Sequence, residues 1–270
     1  MGGVGGLPGG TGGAGGGSTN CVGKAISFNA NIPGGADPAK ARVEITFAAG
    51  STDLPLGNSN RTIEFWAYML TSSWMANGNT TFFYGPYPSA RTADGFGLDF
   101  GSNMGNIGTI DPFTNNIFDN DNQPSGVTTT TPQWVHFAMT WDGSAVRAFV
   151  NGIEKSTKMS AVAQKTLMTG LSVLTIGGYP GEGAYFNGYV DEFRIWNVAR
   201  TATEIMSTMN HTLVGNEAGL TGYWKFDEGM GTTAADAVTT AGHTGHPGTL
   251  MATSAANNPT WVAGAPLTCP

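Results

Sequence analysis

Charge is scarce in this chain. Asp, Glu, Lys and Arg make up 11% of its 270 residues, with 12 basic against 19 acidic side chains and a formal net charge of −7. An acidic chain without Lys/Arg clusters has little to set against a phosphate backbone or an anionic bilayer, which argues against nucleic acid as a partner. No apolar run approaches the ~20 residues that a helix needs to cross a bilayer, so membrane insertion is not expected. The sequence also lacks Gly-x-Ser-x-Gly and His-Glu-x-x-His, and its four histidines, His136, His211, His243 and His246, are scattered. Cysteine is limited to Cys21 and Cys269. Helical periodicity is almost missing, while Gly-, Asn- and Thr-rich turns separate short apolar runs, the pattern of an all-β protein.

The stretch from Trp134 to Met206 carries the strongest local signals. Val135, Phe137, Met139 and Trp141 alternate with His136, Ala138 and Thr140, the period of a strand with one buried side. Asp142-Gly143 turns the chain. Val146 to Val150 alternates again and ends at Asn151-Gly152, the dipeptide best suited to the positive φ angles of a tight hairpin; Ile153 begins the return strand. Leu171 to Ile176 is a β-branched run closed by Gly177-Gly178. Tyr189 to Trp196 is apolar on both faces and is expected to be a central strand. Thr201 to Glu204 has the spacing of a capping box and predicts a short helix to about Met209.

The order WVHFAMTWDG, AFVNG, LTIGG and GYVDEFRIWNVARTATEI, together with TIEFWAYML at 62–70 and GYWKFDEGMGTTAADA at 222–237, resembles the laminin-G-like branch of the concanavalin A-like lectin/glucanase superfamily. The resemblance spans about Lys24 to Trp261. It implies a two-sheet antiparallel jelly-roll sandwich with one short helix, over residues 21–270, preceded by a Gly-rich linker or arm over residues 1–20. The superfamily hosts lectins, adhesion modules and glycosidases, so it specifies fold more than function. Its glucanase branch works with two carboxylates facing one cleft from one strand. Here Glu-x-Asp-x-Glu is absent, and the neighbours Asp191-Glu192 and Asp227-Glu228 are expected to point to opposite sheet faces. A glycoside hydrolase is therefore the third reading, behind two others. The first is a non-catalytic carbohydrate- or glycoprotein-binding adhesion module of an exported or surface protein. The second is an adhesive head of a surface filament, fibre or virion that self-assembles through its arm.

The arm has glycine at Gly3, Gly6, Gly9, Gly12 and Gly15, the three-residue period of a collagen-like stalk, although proline is nearly absent there and a flexible linker is the plainer reading. It lacks the basic start and apolar middle of a secretory signal. The chain is thus expected to be a piece of a larger exported protein, or to reach the cell or virion surface by another route. Cys21 and Cys269 bracket the domain, and because terminal strands of a sandwich often lie side by side, a disulfide between them is expected, the alternative being two unrelated free thiols in flexible ends.

Calcium, which related sandwiches often bind, is the expected metal. Asp191, in phase with Phe193 and Ile195, is expected to share a face with core residues and to need a partner; that partner is either an ion or backbone amides. Glu228 and Asp236 form a second acidic group that either ligates an ion or caps turns, and Asp119, Asn120 and Asp121 a third, in a loop that is either a calcium loop or Asx-rich turns. His243 and His246 sit in a Gly-rich loop for which a solvated turn is the plainer reading than a metal site. For a glycan, aromatic faces beside Asn/Asp loops are the pattern to seek. Trp66 and Tyr68 alternate away from Ile63, Phe65, Ala67 and Met69 onto the opposite sheet face, and with Tyr84, Tyr87, Asp94 and the Asp119 loop they make the candidate sugar platform.

Overall fold

The structure is a computed structural model that describes residues 20–28, 40–48, 51–69, 79–85, 96–101, 109–114, 123–124, 132–159, 173–179 and 184–270. In chain order the strands are β1 (Asn20–Phe28), β2 (Arg42–Thr46), β3 (Arg61–Met69), β4 (Asn79–Gly85), β5 (Phe96–Gly101), β6 (Thr109–Thr114), β7 (Gln123–Pro124), β8 (Gln133–Trp141), β9 (Ala145–Val150), β10 (Ile153–Met159), β11 (Val173–Ile176), β12 (Gly178–Tyr179), β13 (Ala184–Tyr185) and β14 (Gly188–Trp196). Helix α1 (Ala202–Thr208) follows, then β15 (Leu220–Trp224), β16 (Thr233–Ala234), β17 (Gly248–Met251) and β18 (Thr260–Thr268). The first sheet runs β10-β9-β8-β3-β14-β1-β18, with β15 also paired to β14; the second runs β16-β17-β2-β11-β4-β5-β6-β7; β12 and β13 pair separately. Every pairing between these strands is antiparallel. This is the expected two-sheet all-β sandwich with one short helix.

Strand alternation decides which side chains enter the layer between the sheets. From the first sheet come Ile63, Phe65, Ala67, Val135, Phe137, Met139, Val190, Phe193 and Ile195; from the second come Val43, Ile45, Phe82, Phe96, Leu98, Leu174 and Ile176. Phe65 is at the centre. Its ring stacks on Phe137 and Phe193 at 5.9 and 5.6 Å and meets Phe82 of the facing sheet edge-on at 5.8 Å. Burying a side chain of this size contributes about 1.5–3 kcal/mol, so this cluster is the main apolar link between the layers.

The local signals hold. Asn151 and Gly152 both have positive φ, 49° and 75°, and join β9 to β10. A side chain at Gly152 would collide with Met206 of α1, 2.3 Å from an added Cβ, so the glycine serves both the turn and the helix that packs on it. Thr201 caps α1 in a full capping box with Glu204.

Cys21 and Cys269 form a disulfide across a sequence separation of 248 residues, with Cα atoms 5.0 Å apart. It is possible because β1 and β18 pair antiparallel, with Cys21 opposite Leu267. The bridge restricts the unfolded chain over nearly its whole length. Replacing both cysteines by serine is expected to lower the unfolding free energy by about 2–5 kcal/mol, measured by urea unfolding of the oxidised protein beside the variant. Superimposable transitions would mean that strand pairing alone holds the termini.

Candidate functional site

The outward face of the first sheet is built in rungs. In β8, β3 and β14 the residues that alternate with the core are brought opposite one another by register: Trp134–Tyr68–Tyr189, His136–Trp66–Asp191, Ala138–Glu64–Arg194 and Thr140–Thr62–Trp196. The last three rungs lie beneath the segment 197–213, which contains α1. Thr62 donates its hydroxyl to Val198 O at 2.8 Å, Trp66 Nε1 donates to Met209 O at 2.7 Å, and Arg194 donates to Thr208 O and His211 O at 3.1 and 2.7 Å. Ile205 of α1 packs on Ala138 and Phe149.

Between sheet and segment lies a buried polar network. Glu64, fully buried, accepts from Arg200 at 2.8 Å and from Trp196 Nε1 at 3.0 Å and has Arg194 at 3.6 Å. Arg194 also pairs with Glu192 at 2.6 Å, and Tyr223 donates to the same Glu192 oxygen at 2.5 Å. Arg200 lies over the Trp196 ring, 4.1 Å from its centroid, and reaches Glu204 O at 2.6 Å. Burial works against the charge on Arg194, but the Glu192 and Glu64 carboxylates outweigh it and hold the guanidinium protonated. His136 sits beside this network, 3.9 Å from Glu64, and among the described residues neither ring nitrogen has a hydrogen-bond partner. Burial, reinforced by Arg194 and Arg200, keeps its pKa well below 6.5, so the imidazole is neutral.

The first rung is not under this cover. Trp134, Tyr68 and Tyr189 are each half-buried. The two tyrosine rings stack at 5.0 Å and 14°, and Trp134 meets Tyr68 at 5.5 Å and 68°. Register continues the rung through Ser27 of β1 to Thr260 of β18. Tyr68 was legible as an outward aromatic. Trp134 is in phase with outward His136, and Tyr189 lies in the central strand two residues before Asp191. Strand alternation supplies the signal for both, but the register that joins them is set by pairing across more than a hundred residues.

The other expected platform residues divide. Trp66 faces outward as expected, but its indole N–H is taken by the end of α1. Tyr84 is a correction: it is fully buried in the core cluster, with its hydroxyl on Pro55 O at 2.5 Å and Arg61 5.8 Å from its ring centroid, so it has no surface for a ligand. Its strand crosses the middle of the second sheet, where both neighbours and the facing layer cover it. Tyr87, Asp94, Asp119, Asn120 and Asp121 lie outside the described residues, as does the arm.

Asp191 also departs from expectation. A bulge between Asp191 and Arg194, with Glu192 at φ 53°, inserts one residue and takes Asp191 out of phase with Phe193 and Ile195; it pairs with outward Trp66 instead. Its carboxylate accepts the amides of Glu192 and Ala265, each at 2.8 Å, and burial followed by the neighbouring Glu192 raises its pKa well above 3.8. Glu228 accepts the Ala235 amide at 2.7 Å, and Asp236 accepts those of Tyr223, Val238 and His246. Among the described residues no three His, Cys, Asp or Glu side chains gather as a metal site. Of the two partners expected for these carboxylates, backbone amides are the ones met by Asp191, Glu228 and Asp236.

A laminin G family model, described as the concanavalin A-like lectin/glucanases superfamily, matches residues 44–206. Human pappalysin-1 is 38% identical over 79 residues, and its mouse counterpart 37% over 79. Those matches cover 28% of this chain and 5% of either pappalysin, so the chain spans a small part of the length of these relatives. Among solved structures, a candidate carbohydrate-binding protein from Bacteroides ovatus superposes with a TM-score of 0.59 at 18% identity, over 91% of this chain and 61% of that one. A heptameric SAP-like pentraxin from Limulus polyphemus gives 0.53 at 13%, over 90% and 95%. At such identities the likeness is one of fold.

Two outcomes follow from the buried network. Glu64→Gln leaves Arg194 and Arg200 short of a counter-charge and is expected to cost about 3–5 kcal/mol in denaturant unfolding; a loss under about 1 kcal/mol would contradict the pairing. His136 must take up a proton on unfolding once the pH drops below 6.5. Its contribution is therefore complete above that pH and lost as the pH falls through it, by up to about 1.4 kcal/mol per unit. Asp191, whose folded pKa is raised, has the opposite sign: its charge costs stability as pH rises above 3.8. The His136 part is thus read as a difference, with wild type losing ground to His136→Gln between pH 7 and 5, and parallel profiles would refute it.

Proposed function

Because the chain belongs to the laminin-G-like branch of the concanavalin A-like lectin/glucanases superfamily, whose model matches residues 44–206, we propose that it is a non-catalytic glycan-binding module of an exported or surface protein. The Trp134–Tyr68–Tyr189 rung is its binding surface. The observation that carries this reading is three partly exposed aromatics in register on a sheet face whose next three rungs the segment 197–213 covers. The three ring centroids lie 5.0, 5.5 and 6.3 Å from one another, a compact aromatic cluster of about the extent of a single sugar ring. Aromatic side chains give sugar C–H faces an apolar seat at small entropic cost. Among the described residues the hydroxyls of Tyr68 and Tyr189 have no hydrogen-bond partner, so they remain available to sugar hydroxyls, with the exposed Thr260 further along the rung.

The carboxylates on this face support a binding role over hydrolysis. Glu64 and Glu192 are committed to arginines and Asp191 to backbone amides, whereas glycoside cleavage needs two carboxyl groups flanking the bond. The terminal disulfide agrees with an oxidising, extracellular setting, and the fold relative from Bacteroides ovatus, itself a candidate carbohydrate binder, agrees with the ligand class.

A glycan array identifies ligands, and titration of the best of them tests the surface. Trp134→Ala and Tyr189→Ala are each expected to weaken binding at least about tenfold, roughly 1.4 kcal/mol, with unfolding cooperativity retained and with binding unaffected by EDTA. Binding that survives both substitutions would move the site elsewhere, and an array without signal would remove the glycan reading.

A further inference from the structure

A second cluster lies in the turn between β16 and β17, away from the aromatic rung. His243 Nε2 is 2.8 Å from Asp236 Oδ2, and His246 Nε2 is 2.9 Å from Asp53 Oδ2. The carboxylates are themselves held in place. Asp236 Oδ1 accepts the amides of Tyr223 and Val238 and Oδ2 that of His246, while Asp53 Oδ2 accepts the Ser51 hydroxyl at 2.9 Å. A carboxylate oxygen can only accept, so each imidazole must donate Nε2–H, which leaves the lone pair of a neutral ring on Nδ1. Among the described residues no other hydrogen bond engages either ring. Both side chains retain a little accessible surface, 9% and 11%. Phe47 packs on the His246 ring at 4.7 Å and further fixes its plane.

We propose that His243 and His246 bind one borderline transition-metal ion, Zn2+ or Cu2+, through their Nδ1 atoms, with water filling the remaining positions. The ring centroids are 6.0 Å apart. Two imidazoles sharing a metal at about 2.1 Å from each nitrogen place their centroids roughly 5 Å apart at a tetrahedral angle and about 6.5 Å apart when opposite one another, so the ring separation is compatible with a shared ion. Histidines whose second nitrogen is bound to a carboxylate are the usual arrangement at such metals, because the partner fixes the tautomer and raises ligand basicity. Imidazole donors select Zn2+ or Cu2+ over calcium. A pair of histidines in a glycine-rich loop says little by itself; two independently oriented carboxylate partners, one nearly two hundred residues away, are what distinguish this one.

Untagged full-length protein titrated with CuSO4 tests the site by electron paramagnetic resonance, with ZnCl2 competition followed by calorimetry. The expected result is one saturable site with nitrogen hyperfine structure from two imidazoles, lost in His243→Ala/His246→Ala and kept in His211→Ala. Asp53→Asn, a change at an exposed side chain, is expected to weaken binding about tenfold through the lost orientation of His246. Thermal melts confirm that each variant is folded, and His243→Gln replaces the double variant if that one is not. Absence of saturable binding, or binding unchanged in the histidine variants, overturns the proposal.

Discussion

The Glu64 carboxylate, placed in the middle of a sheet and sealed from water, is tolerable only because two arginines and an indole meet it there. Ionised groups in such surroundings cost several kcal/mol each unless paired, so Arg194 and Arg200 cannot leave without penalty. Arg200 belongs to the chain entering α1 and Arg194 to the central strand, and both also bind carbonyls of the segment 204–211. Charge pairing, rather than apolar area alone, thus fastens a seven-residue helix to the sheet. A helix so short is marginal on its own; here its first turn is closed by the capping box and its underside by Ile205.

The same cover defines the candidate site by ending where it does. Three of the four outward rungs lie under the segment 197–213, and the fourth, with its tyrosine pair and tryptophan, remains at the surface. Covered rungs are dominated by charged and hydrogen-bonding groups, whereas the uncovered rung is aromatic. The arrangement reverses the usual expectation for a sheet face and is explained by partners: the polar groups have each other and the helix segment, while the aromatics have one another and an open side.

Much of this was legible locally. Alternation in 62–69 and 134–141 separates core from outer face residue by residue, Asn151-Gly152 announces its hairpin, and Thr201 with Glu204 announces the helix, because each depends on neighbours within four residues. Asp191 was misplaced for the complementary reason. Strict alternation puts it with Phe193, but the bulge at Glu192, a non-glycine residue held at positive φ, shifts the phase, and only the pairing on both sides of β14 imposes that. Tyr84 belongs to the core and not to the expected sugar platform, because burial by the opposite sheet leaves no mark in a short run of residues.

The sequence by itself determined the all-β class, the faces of the strands and the helix start, since periodicity and turn chemistry leave few alternatives. Tertiary structure alone decided which outward residues share a rung, which of those the helix segment covers, and which carboxylates His243 and His246 meet. Each of those outcomes is a distance between residues far apart in the chain. Such distances are fixed by strand order and register, which arise from the packing of the whole sheet and not from any segment of it.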